Sequence, residues 1–79
     1  MKIVDNIKTY IKEYEFRLTI LHNRINVVNY VRVTHFESNE IRILHENGEL
    51  KILGNSLVIT RLMKDELLIT GELDKVEFR

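Results

Sequence analysis

The hydrophobic pattern of this chain changes period near residue 16. Over residues 2–14, Ile3, Val4, Ile7, Tyr10, Ile11 and Tyr14 recur at steps of three and four, which places them along one face of a helix. Lys2, Asp5, Lys8, Lys12 and Glu13 fall mostly on the other face. The spacing predicts an amphipathic helix of about three turns. A helix this short is marginal alone in water, so it needs a surface to pack on. The chain's own sheet is the simplest such surface.

From Phe16 onward the period is two. Phe16, Leu18 and Ile20 alternate with Arg17 and Thr19. Residues 25–36 are rich in Val, Ile, Tyr and Thr, which favour strands, with a break expected near Asn29. Turns are expected at His22-Asn23, Ser38-Asn39, Asn47-Gly48, Gly54-Asn55, Met63-Lys64-Asp65 and Gly71-Glu72. A two-residue loop at Asn47-Gly48 sets Glu46 opposite Glu49 and Ile43 opposite Ile52. A second at Gly54-Asn55 sets Leu53 opposite Ser56, Ile52 opposite Leu57 and Leu50 opposite Ile59. Both registers put Ile41, Ile43, Leu50, Ile52, Leu57 and Ile59 on one face, which a slip of one residue would expose. Leu67, Ile69, Val76 and Phe78 extend that face.

A short repeat underlies this half of the chain. Residues 49–54 read ELKILG and residues 66–71 read ELLITG, with a partial copy at Glu40-Ile41-Arg42-Ile43. Each full copy is a short alternating strand ending at a glycine. The expected fold is therefore mainly β. A short N-terminal helix (2–14) precedes an antiparallel meander of about six to eight short strands (16–78), as a twisted sheet, a small sandwich or a barrel.

The face opposite the core carries Leu44, Leu53, Val58, Leu68 and Leu73 among Arg42, Lys51, Thr60 and Lys75. A stripe this apolar calls for a cover. The helix or a second copy of the chain would supply one, and these five leucine and valine positions form the candidate interaction surface.

Composition sharpens the reading. Seventy-nine residues without proline, linker or low-complexity stretch make one domain, 1–79. A domain of this size buries only about 60% of the surface its unfolded chain exposes. With no cysteine, disulfides are excluded, and so are thiolate metal sites and cysteine nucleophiles. Self-association is then the expected source of added stability, and a homo-oligomer is the expected state. Twelve basic residues balance twelve acidic ones. A nucleic-acid partner is disfavoured, because phosphate binding draws on a basic excess.

No run of 18 apolar residues marks a transmembrane helix. Asp5 and Lys8 interrupt any signal-peptide core, so a cytoplasmic location is expected. Peripheral membrane contact through the helix is an alternative, weakened by a polar face that is only slightly basic.

Reaction chemistry is not evident. His22, His35 and His45 have no metal-pair spacing. The carboxylates cluster at predicted turns, where charge protects sheet edges. Ser38 and Ser56 lie in turns with no base nearby, and the three isolated glycines make no phosphate loop. The expectation is a non-enzymatic protein without cofactor or metal.

The repeat region also carries a resemblance. Arg24-Ile25 opens a strand, and Ile41 follows a short turn. The ladder then runs Gly48-x-Leu50-x-Ile52-x-Gly54-x-x-Leu57-x-Ile59, followed by Glu66-Leu67-x-Ile69-x-Gly71-x-Leu73-x-x-Val76-x-Phe78. In these residues the segment 24–78 resembles the YabP/YqfC family of small sporulation proteins from endospore-forming Firmicutes. The resemblance implies a cytoplasmic protein made in the mother cell and needed late in spore development. The family is not known as enzymes, so the resemblance brings no catalytic or cofactor residue with it. An interaction or scaffold module in endospore formation is the reading that results. The alternative is an Sm-like RNA-binding oligomer, whose outline of a short helix and bent strands is similar.

Overall fold

The computed structural model describes the backbone of residues 9–12 and all of residues 16–79. The helix expected over 2–14 lies outside the described residues, apart from Thr9–Lys12, whose backbone runs as strand β1. Six further strands follow: β2 (Arg17–Leu21), β3 (Arg24–Val28), β4 (Arg32–Glu37), β5 (Glu40–His45), β6 (Gly48–Leu62) and β7 (Glu66–Phe78). No helix occurs among the described residues. Every neighbouring pair is antiparallel, and the strand order across the sheet is β1-β2-β3-β7-β6-β5-β4. Among the described residues the sheet is open, with β4 at one edge.

Two strands are much longer than the rest. β6 has 15 residues and β7 has 13. They pair with each other along most of their length, and only the first half of each has a second neighbour. The first half of β6 pairs with β5, and the first half of β7 pairs with β3. The β6–β7 ribbon is thus shared by two wings, one built on β2 and β3 and the other on β4 and β5. Both wings contribute to one core, in which Leu18, Ile25 and Val27 join Ile41, Ile43, Leu50 and Ile52. Phe16, just before β2, stacks on His45 at the end of β5, with ring centroids 4.3 Å apart. This contact ties the wings together at one end.

Two expected turns are not turns. At Gly54-Asn55 and Gly71-Glu72 the chain continues as strand and bends through bulges. Gly54 pairs with Leu73, Asn55 with Glu72, and Val58 with Thr70. The glycines are points of close backbone approach. A Cβ on Gly54 would overlap the Glu72 carbonyl oxygen, and one on Gly71 would lie 2.5 Å from the Ser56 carbonyl oxygen. Gly71 also has φ +134°, a conformation that side-chain-bearing residues rarely adopt.

Hairpin turns dock on these bends. The Gly54 N–H donates to the Asn39 carbonyl in the β4–β5 turn, and the Gly71 N–H donates to the Asn23 carbonyl in the β2–β3 turn. The Leu57 N–H similarly donates to the Ser38 carbonyl.

The remaining expected turns fare better. His22-Asn23 and Ser38-Asn39 connect their hairpins, and residues 63–65 link β6 to β7. His22 and Asn29 take positive φ, 51° and 64°, at the expected turn and the expected break. The β5–β6 loop is one residue earlier than expected, at Glu46-Asn47. Its register pairs Ile43 with Leu50 and Ile41 with Ile52, not Ile43 with Ile52. The inward set survives because the true partners also alternate. Ile41, Ile43, Leu50, Ile52, Leu57, Leu67, Ile69 and Val76 are buried, while Ile59 and Phe78 are half-buried against the core.

Ile52 and Ile69 have no exposed surface. Ile52→Ala and Ile69→Ala should each cost about 2–5 kcal/mol in urea unfolding, against a total of about 5 kcal/mol for a small domain. Ile59→Ala should cost clearly less. Gly71→Ala should destabilise by more than about 1 kcal/mol, read by the same unfolding curves.

Candidate functional site

In an antiparallel pair, opposed residues share a face, so the registers assign the outer surfaces. On the β4–β5 wing, the outer face carries Arg42 opposite Lys51, Lys51 opposite Glu77, and Leu53 between Glu40 and Lys75. These charges interlock. Arg42 Nε lies 2.5 Å from Glu40 Oε2, Lys75 Nζ 2.8 Å from Glu77 Oε2, and Lys51 Nζ 4.0 Å from Glu77 Oε1. Arg79 approaches Glu49 at 3.7 Å, and the Thr34 hydroxyl donates to Glu49 at 3.3 Å. The hydrogen bond from Arg42 holds the Glu40 carboxyl below the usual carboxylate range. The hydrogen bond from Lys75, and then its charge, does the same for Glu77.

The five residues of the expected apolar stripe are distributed over this framework. Leu44 and Leu53 lie half-buried on the outer face of the β4–β5 wing. Val58, 49% exposed, and Leu68 lie on the outer face of the β2–β3 wing, opposite Thr70 and Asn26. Leu73 packs against the core. The cause is the bulge at the bend. Lys75 pairs with Leu53 but Leu73 pairs with Gly54, so Asp74 is an extra residue and the alternation inverts past it.

His45 is buried and stacks against Phe16. His35 lies on the outer face opposite Arg42, with Nε2 3.1 Å from Glu37 Oε1. His22 is at the β2–β3 turn. Among the described residues, no group of three or more His, Asp or Glu side chains is placed to hold a metal ion.

An open groove of about 610 Å³ lies where the β2–β3 turn meets the bend of β7, lined by His22, Asn23, Arg24, Ser56, Thr70 and Glu72 among others. It mixes a guanidinium, an imidazole, a carboxylate and two hydroxyls. Ser56 sits there at φ 54°. Nothing local in the sequence marks this groove, because its two sides are separated by more than thirty residues and meet only through the β3–β7 pairing.

Further apolar side chains are exposed near the ends of the strands: Leu21, Val31, Phe36, Leu62 and Met63. The Tyr30 hydroxyl donates to the Met63 carbonyl at 2.5 Å, which joins the β3–β4 and β6–β7 connections. No helix among the described residues is long and apolar enough to cross a membrane.

Among the described residues the framework is a small open antiparallel β sheet, bent into two wings, with charged outer faces and scattered exposed apolar side chains. The sequence profile of the YabP family matches residues 15–79, and the chain belongs to that family. It is 30% identical over 54 residues to the uncharacterized protein YqfC of Bacillus subtilis (strain 168), a match covering 68% of this chain and 58% of that protein. The matched region thus spans little more than half of that relative. No solved structure matches the chain.

The lowered carboxyls predict an acid limb in stability. A carboxylate with a depressed folded pKa contributes stability above its ordinary pKa, near 4 to 4.5, and loses it as pH falls through the lower folded value. Denaturation midpoints should therefore fall as pH drops below about 4.5. Glu40→Gln and Glu77→Gln together should flatten that limb and leave the midpoints near pH 3 little changed.

Proposed function

We propose that this protein acts in endospore formation, late and in the mother cell, as a non-enzymatic interaction or scaffold module. Membership of the YabP family over residues 15–79 carries the reading. The mother-cell stage and a cytoplasmic location are the part of the proposal that the family resemblance implies. The physical character of the domain favours contact over catalysis. Its exposed apolar side chains are spread over outer faces and strand ends, and its groove is open and mixes opposite charges.

Self-association is part of the proposal. A 79-residue domain has a small core, and Val58, Phe36 and Leu62 stand about half exposed or more. Partner contact is the economical use of such side chains. Net neutrality weighs against RNA as the partner.

Deletion of the gene in a sporulating host should sharply lower the count of heat-resistant spores, and the wild-type gene should restore it. An unchanged count would remove the process from the proposal. RNA binding that weakens steeply between low and physiological salt would replace the scaffold reading with a nucleic-acid one.

A further inference from the structure

Strand β4 ends the sheet, and among the described residues no strand pairs with its outer side. Such an edge offers backbone N–H and C=O groups to another strand. β4 reads Arg32-Val33-Thr34-His35-Phe36-Glu37. Its pairing with β5 assigns each side chain a face. Arg32, His35 and Glu37 lie opposite Leu44, Arg42 and Glu40 on the outer face. Val33 and Phe36 lie opposite Ile43 and Ile41 on the core face.

The bulge is what makes this pattern unusual. In an unbroken strand, residues three or five apart point to opposite faces. The register shift between Val33 and His35 makes Thr34 an extra residue. It puts Val33 and Phe36 on one face and Arg32 and Glu37 on the other. Thr34 itself turns outward, with its hydroxyl donating to Glu49.

We propose that β4 pairs with β4 of a second copy of this chain, antiparallel about a two-fold axis passing between Thr34 and His35. A two-fold axis perpendicular to the sheet keeps each face on its own side. Opposed residues must then share a face within one chain, and the bulge meets that condition. In this register Arg32 of each copy faces Glu37 of the other, Val33 faces Phe36, and Thr34 faces His35. An isologous contact uses each pair twice. Two ion pairs form on the outer face, and two apolar pairs cover Phe36, which is 54% exposed in the single chain.

Among the described residues Arg32 has no carboxylate within ion-pair distance. A parallel alignment needs a rotation about the strand direction, which turns one copy's core face to the other's outer face; Val33 and Phe36 of the two copies would then lie on opposite sides and cover nothing. Edge charges also discourage stray strands; here their order admits one alignment. The inference rests on the self-association reading above and gives it a surface and a register.

Sedimentation of the full chain at about 100 µM suits a contact of this small area. The wild type should sediment as a dimer. Arg32→Glu and Glu37→Arg should each weaken the dimer about tenfold or more, since each turns two attractive pairs repulsive. The double variant R32E/E37R should recover dimerisation. An equimolar mixture of the two single variants should form heterodimers, because two glutamates then face two arginines. Heterodimer formation also shows that both single variants are folded.

Single variants that dimerise like the wild type would overturn the β4 contact and leave self-association standing. So would a double variant or a mixture that stays monomeric beside a dimeric wild type. A monomeric wild type would overturn both.

Discussion

The structure depends on two places where backbone meets backbone with no room for a side chain. Gly54 lies against the Glu72 carbonyl, and Gly71 lies against the Ser56 carbonyl. Bulges between these points bend the β6–β7 ribbon. Without the bend, the two long strands would form a flat hairpin with β3 and β5 at opposite sides, and the inward residues would have nothing to pack on. With it, the wings close on each other and bury Leu18, Ile25, Ile41 and Ile52 in one core. The docked turns satisfy the backbone at the bends, where the regular ladder is interrupted. Asn39 accepts from Gly54, and Asn23 accepts from Gly71.

The internal repeat has a structural counterpart. Each copy is the first half of a long strand and ends at a bend glycine. ELKILG places Leu50 and Ile52 in the core from one wing, and ELLITG places Leu67 and Ile69 there from the other. The arrangement is approximately symmetric, each bend receiving the turn of a neighbouring hairpin. The same bends set the outer surfaces. They divide the apolar side chains Leu44, Leu53, Val58 and Leu68 between two faces, and they turn Leu73 inward. They also form the groove between the β2–β3 turn and β7.

Much of the β architecture was legible in the residues. Period-two alternation marked the inward set, because burial of one face demands it. The Asx-containing turns at His22-Asn23 and Ser38-Asn39 were legible because asparagine tolerates turn conformations. Gly54 and Gly71 were misread as turn apexes. Glycine serves both turns and close approaches, and only the neighbouring backbone tells them apart. The Glu46-Asn47 loop differs by one residue from the expected Asn47-Gly48, yet the core face was still correct. The true register pairs Ile43 with Leu50 and Ile41 with Ile52, and all four belong to the apolar set. The groove was not legible, since Arg24 and Glu72 approach only through long-range pairing.

By itself the sequence determined the class of fold, the inward face, the repeat and the family. All of these reside in local periodicity and in residue types at fixed spacing, which neighbouring residues along the chain are sufficient to specify. Only the tertiary structure decided that two glycines bend strands instead of ending them. It likewise decided which side Leu73 takes and how β4 presents its side chains at the sheet edge. Each of these depends on a bulge, and a bulge is defined by two residues opposing one on a partner strand. That relation exists only once the strands have paired.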